Sequence, residues 1–330
     1  MVLQGRHIRV SSPPEKANTG LRMDIQGLRT LAVGLVIFYH IWPELLPGGF
    51  VGVDVFFVIS GYLITSIICR EINAGRFSFV DFWARRARRI IPALSVMMLA
   101  ALLVGWVLMP ANDYSQLGRA VRYQAMFVSN ILFMRQDGYF NPASDFKPLL
   151  HTWSLSVEEQ YYILFPLLMV LLTRYLRQWR WVLFGLLVVS FALNVWVIRR
   201  NPDEAFFLLP MRAWELLCGA MLAVLPASDR KFAPLIYQAV SGVGLLAVLY
   251  AIFVFNKYTL FPGWAALLPV LGATAMIWAN GHAPTLVGRL LSLRWMVGVG
   301  LISYSWYLWH WPVFVYANAI SVDGMQALEA

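Results

Sequence analysis

The 330-residue chain is predicted to be all-α, a polytopic bundle of transmembrane helices, and three observations carry that prediction. Hydrophobic residues make up 60% of the sequence and charged residues 13%, with a mean hydropathy of +0.64, a balance that does not pack into a soluble domain of this size. Apolar runs long enough to cross a bilayer recur along the chain. Arginine and lysine gather in alternate connections between those runs, the positive-inside pattern. A barrel is disfavoured, because barrel strands alternate over about ten residues and these runs are continuous and longer.

Residues 1–22 are polar, with Pro13, Pro14 and Lys16 and no apolar core. They read as a cytoplasmic tail and not as a cleavable signal, so membrane targeting falls to the first span, Leu28–Leu45. Val51–Cys69 forms the second span, and the connection after it carries Arg70, Arg76, Arg85, Arg86, Arg88 and Arg89. Span three is Ile90–Met109. The stretch Leu117–Phe133 is interrupted by Arg119 and Arg122 and is expected to be an interfacial or partly buried helix, since counting it would move the next basic connection outside. Asn141–Lys147 resembles a folded outer loop.

Leu155–Leu172 and Trp181–Ile198 form spans four and five, joined through Arg174, Arg177 and Arg180. Phe207–Leu225 and Leu235–Phe255 are joined through Arg230 and Lys231, and Gly263–Trp278 and Trp295–Ala317 through Arg289 and Arg294. Nine spans with every second connection basic place the N-terminus in the cytoplasm and the C-terminus outside. The division is a tail over 1–22, one membrane domain over 23–320 and an outer tail over 321–330. The net charge of +9 follows from these loops, so no nucleic-acid partner is expected; the medium is membrane lipid. Cys69 and Cys218 fall at or inside apolar spans and act as small hydrophobes, and no set of metal ligands stands out.

Ionisable residues inside spans are costly and mark function. Arg29 and His40 share the first span and, eleven residues apart, share one helical face about 16 Å apart along the axis. Asp54, in the first turn of span two, stands at the depth of His40 in a hairpin turning near Leu46 and Pro47. It would orient the imidazole as a general base, or simply cap its helix. Ser60 and Gly61 serve close helix packing or a polar ligand contact. Arg85, Arg86, Arg88 and Arg89 suit a phosphate-bearing ligand, and topology alone also accounts for them. His151, Glu158 and Glu159 enter span four. Arg212 and Glu215, at i and i+3, can form a structural ion pair. His310 lies between Trp309 and Trp311; an aromatic belt explains the tryptophans but not the imidazole.

The succession GLRTLAVGLVIFYH, GGFVGVDVFFVISGYLI, FWARRARRIIP, HTWSLSVEEQYY, RAWELLCG and SYSWYLWHWP closely resembles, in order and over nearly the whole chain, the acyltransferase-3 family of membrane acyltransferases. The resemblance implies O-acetylation of an extracytoplasmic bacterial glycan (O-antigen, peptidoglycan or exopolysaccharide) from cytoplasmic acetyl-CoA, at the inner membrane. It matches Arg29 and His40 to the family's essential pair, Ser60 to its Phe-Phe-x-x-Ser-Gly motif, Arg86 and Arg89 to its basic motif and Glu158 to its Trp-Ser-Leu-x-x-Glu motif. Relatives with this set of motifs continue into further helices and a periplasmic SGNH-type domain, which makes 321–330 the expected truncation point. The expected mechanism holds the donor phosphates on Arg85, Arg86, Arg88 and Arg89, aligns the donor with Arg29, and uses His40, oriented by Asp54, as base or acyl acceptor. A flippase for a lipid-linked glycan is the alternative, and the absence of internal repeat symmetry counts against it.

Overall fold

The computed structural model describes residues 21–136, 139, 146–225 and 232–329, and no side chains beyond 321. The expected N-terminal tail therefore lies almost wholly outside the described residues, as do Arg230, Lys231 and most of Asn141–Lys147. Among the described residues there are thirteen α-helices and no strand: α1 (Met23–Ile41), α2 (Gly52–Asn73), α3 (Phe79–Leu108), α4 (Ala111–Ala125), α5 (Ser129–Met134), α6 (Thr152–Tyr175), α7 (Trp179–Val197), α8 (Pro202–Phe207), α9 (Leu209–Val224), α10 (Pro234–Val254), α11 (Leu267–His282), α12 (Leu286–Leu291) and α13 (Arg294–Glu329). Six stretches are long and apolar enough to cross a membrane: Gly49–Asn73, Phe79–Leu108, Thr152–Tyr175, Trp179–Val197, Pro202–Val224 and Pro234–Val254. The other three apolar runs fall in α1, α11 and α13.

Two boundaries depart from the sequence reading. The stretch 117–133 is not one helix: α4 and α5 are separated at Phe127, which has a φ of 54°, and the buried Ser129 at the start of α5 is tied to Gln124 and Ser156. At the other end α13 does not stop near Ala317 but continues to Glu329. Pro92, Pro166 and Pro312 sit inside α3, α6 and α13, which membrane-type helices tolerate when neighbouring groups take up the freed carbonyls.

Helices α1, α3 and α13 run in one direction: Tyr304 and Tyr316 of α13 donate to the carbonyls of Ile90 and Ala101 of α3, and α1 follows α13 from Gln26 against Gly300 to His40 against His310. Helices α2, α6 and α9 run the opposite way. The α2–α9 crossing is tight because both helices present glycine: a Cβ on Gly61 would lie 1.8 Å from the Leu216 carbonyl oxygen, and one on Gly219 would lie 2.0 Å from that of Val58. This bears out the packing role of the Ser60-Gly61 pair. These six helices surround the core; the outward faces of α3, α7 and α10 carry exposed Leu, Val, Trp and Phe, as lipid contact requires.

Candidate active site

A cavity of about 480 Å3 lies among α1, α2, α3, α6 and α13, within the range usual for small-ligand sites. Arg86 and Arg89, one helical turn apart on α3, line one end together with Leu21 and Gln26, and Val53, Ser154 and Tyr307 line the other, with Arg29, Ser60 and Glu158 between. The motif residues Arg29, Ser60, Arg86, Arg89 and Glu158, scattered over four helices, thus converge on one space. Glu158 accepts hydrogen bonds from the hydroxyls of Ser60 and Tyr162. The Arg86 guanidinium lies 4.2 Å from the Tyr162 ring centroid, a cation–π contact that holds it at the cavity.

The four-arginine cluster divides. Arg85 is exposed and paired with Glu71 at 2.7 Å, and Arg88 is exposed and outside the lining. On a helix positions 85 and 88 share a stripe adjacent to that of 86 and 89, so only one stripe faces the cavity. Of the four arginines expected to act together, Arg86 and Arg89 line the cavity and Arg85 and Arg88 do not.

His40, in the last turn of α1, has a different partner from the one expected. Its Nδ1 is 3.2 Å from His310 Nε2 and its Nε2 is 3.2 Å from the Tyr139 hydroxyl, while Trp311 packs on the ring at 4.4 Å between centroids. These contacts fix the tautomers of the neutral rings. His310 Nδ1 is 2.7 Å from the Tyr307 carbonyl oxygen; a carbonyl only accepts, so Nδ1 carries the hydrogen and Nε2 the lone pair. His40 Nδ1–H then donates to His310, which leaves the His40 Nε2 lone pair facing a hydroxyl. A general base needs that state.

Asp54 does not orient His40. Its carboxylate is fully buried and 3.1 Å from Arg212, which also lies 2.9 Å from Glu215. Asp54, in the first turn of α2, sits opposite the start of α9, and a buried carboxylate is held by a full guanidinium charge far better than by a neutral imidazole. The Arg212–Glu215 pair is therefore real and has a third member, ringed by Phe57, Trp153, Phe206 and Phe261.

His151 is buried at the start of α6, with Nε2 donating to the Leu308 carbonyl at 3.1 Å and its ring 5.4 Å from that of His310. Three histidines thus stand together, but among the described residues no group of side chains is suited to a metal ion. Sequence reasoning missed Tyr139 and Tyr307. Tyr307 carried a signal, lying one turn before His310 in SYSWYLWHWP; Tyr139 carried none.

The profile of the acyltransferase domain family matches residues 23–327. O-acetyltransferase OatA of Staphylococcus aureus (strain NCTC 8325 / PS 47) is 32% identical over 315 residues, covering 91% of this chain and 52% of the relative. A protein of Staphylococcus aureus (strain COL), whose O-acetyltransferase name is provisional, is 31% identical over the same shares. The chain spans about half the length of these curated relatives, and no solved structure matches it. With the profile covering nearly all of its helices, the chain belongs to the acyltransferase-3 family of membrane acyltransferases.

Proposed function

We propose that the protein is a transmembrane O-acetyltransferase that takes acetyl from cytoplasmic acetyl-CoA and delivers it to a hydroxyl of an extracytoplasmic bacterial glycan, in the inner membrane with the arginine end of the cavity towards the cytoplasm. One observation carries the reading: the cavity runs from Arg86 and Arg89, past Arg29, to Tyr307, one helical turn from the His40–His310 pair. Arginine is suited to the phosphates of the donor, and the narrow, mixed-polarity interior suits a pantetheine arm and its thioester. The relatives' O-acetyltransferase names favour acetyl as the group and an oxygen as the acceptor. Which glycan, O-antigen, peptidoglycan or exopolysaccharide, and whether a periplasmic SGNH-type domain takes part, follow from the family resemblance alone.

In the direct form of the reaction the glycan hydroxyl takes the position of the Tyr139 hydroxyl against His40 Nε2. Its oxygen attacks the thioester carbonyl carbon, its proton passes to Nε2, the carbon–sulfur bond breaks, and the imidazolium returns the proton to the departing thiolate. His310 accepts from Nδ1–H throughout and stabilises the charge that His40 acquires. In a stepwise form His40 Nε2 attacks the thioester carbon and the carbon–sulfur bond breaks, releasing the CoA thiolate; the glycan hydroxyl then attacks the acetyl carbon, the carbon–nitrogen bond breaks, and the hydroxyl proton passes to the freed Nε2. Arg29, inside the cavity, is placed to align the donor.

The experiment is transfer of labelled acetyl from acetyl-CoA to cell-surface polysaccharide in membranes carrying the full-length protein, beside His40→Ala and Arg29→Ala at equal expression. Labelling by the unmodified protein that both substitutions abolish is expected. Absence of labelling with acetyl-CoA, when succinyl-CoA or another acyl-CoA labels, would change the group; labelling that survives His40→Ala would remove the base assigned here.

A further inference from the structure

In its lining the cavity stops short of the three histidines. His40, His151 and His310 are all absent from the cavity lining, whereas Tyr307 is part of it. Tyr307 precedes His310 by three residues, about 4.5 Å along the helix axis, and its backbone carbonyl holds the His310 ring. Its ring therefore stands between the outer end of the cavity and the histidine cluster, buried at 7% exposure and 5.6 Å from the ring of His151.

The ring is latched. The Tyr307 hydroxyl donates to the His151 carbonyl at 2.9 Å. The Ser154 hydroxyl lies 2.6 Å from the Tyr307 hydroxyl and also reaches the His151 carbonyl, at 3.3 Å, so the two hydroxyls and that carbonyl form one small network. Both partners belong to the first turn of α6 or its cap, so the latch fastens α13 to α6 at the outer end of the cavity. Phe56 of α2 closes the third side, 6.1 Å from the Tyr307 ring centroid.

Resting on the transferase reading above, we infer that Tyr307, latched to Ser154 and the His151 carbonyl, is a gate between the donor cavity and the histidine cluster, and that it swings aside for the acyl group to reach His40. The closed arrangement is the resting one. It keeps water and solutes of the histidine side out of the cavity when no donor is present.

The test reads sidedness and uses no acetyl-CoA, so its outcome is independent of the transferase reading. Val53, in the first turn of α2 at the outer end of the cavity and 6% exposed, is replaced by Cys in the full-length protein. A membrane-impermeant maleimide is then applied from the histidine face. Cys69 and Cys218 are buried and supply the baseline from protein without the Val53→Cys change. With Tyr307 present, labelling from the histidine face is expected to stay near that baseline. Tyr307→Phe keeps the ring and loses both hydrogen bonds, and should raise the rate about ten-fold, the order expected for losing ordinary buried hydrogen bonds. Tyr307→Ala removes the ring and should raise it further. Labelling from the arginine face, in inside-out vesicles, should not change and reports that the fold is intact; if Tyr307→Ala fails there, Tyr307→Phe carries the comparison. Equal rates from the histidine face with Tyr, Phe and Ala at 307 would overturn the gate. A Tyr307-dependent barrier in a protein that transfers no acetyl group would leave the gate standing and remove the transferase reading.

Discussion

Replacing Arg212 by Met, close to it in length and apolar, removes the cation between Asp54 and Glu215 while leaving both carboxyls in place. The three side chains have at most 1% exposure, so water cannot reach the site, and the aromatic rings around the guanidinium offer no alternative charge. Breaking a buried ion pair in this way costs about 3–5 kcal/mol, which is about two to four powers of ten in the folding equilibrium. Asp54→Asn behaves differently, because Arg212 keeps Glu215 as a one-to-one partner and the cost is about 1–3 kcal/mol. Asp54→Leu, Arg212→Met and Glu215→Leu together should recover much of the lost stability, since an apolar replacement of a whole buried ionic group is often neutral. The assay is the midpoint of thermal loss of monodisperse protein in detergent. A midpoint for Arg212→Met equal to that of the unmodified protein would refute the reasoning. The same variants decide between the two functions of Asp54. Per folded molecule, Asp54→Asn should keep acetyl transfer within about ten-fold, whereas loss of a carboxylate that oriented His40 would cost on the order of 10^4.

Three further outcomes follow from the site. His310→Gln removes the acceptor of His40 Nδ1–H and should lower kcat about 100-fold with the KM for acetyl-CoA unchanged, as steady-state kinetics in membranes would show. Arg86→Gln and Arg89→Gln should each raise the KM for acetyl-CoA about ten-fold or more, the order expected for one charged hydrogen bond, while Arg85→Gln and Arg88→Gln leave it within about two-fold; equal effects from all four would return the cluster to a topological role. Gly61→Leu places side-chain atoms where even a Cβ would lie 1.8 Å from the Leu216 carbonyl oxygen, and should sharply reduce the yield of folded protein, by a cost of about 1–3 kcal/mol or more for overpacking.

The sequence was most legible where the physics is local. Apolar length located the long helices, though not short ones such as α8 and α12, and the six-motif succession located the family. The break at Phe127 was illegible because it depends on Ser129, Gln124 and Ser156 meeting across two helices. Arg29, Ser60, Arg86, Arg89 and Glu158 were singled out by the motifs they fall in, and the structure brings them to one cavity. The partner of His40 was not readable. Proximity in the chain favoured Asp54, fourteen residues on, but His310 arrives from a helix 270 residues away, and nothing in a helical period reports which helices pack together. Likewise a run of arginines shows charge but not which two face inwards; that is set by the phase of α3 against α1 and α6.

The central claim, that donor and base are reached from opposite faces, is tested most directly by supplying labelled acetyl-CoA, which does not cross membranes, to sealed vesicles of defined orientation. Inside-out vesicles, with Arg86 and Arg89 facing the added donor, should label their glycan and lose that labelling in His40→Ala, while right-side-out vesicles should stay unlabelled until permeabilised. Labelling only from the His40 face, or equal labelling with and without His40, would contradict the account.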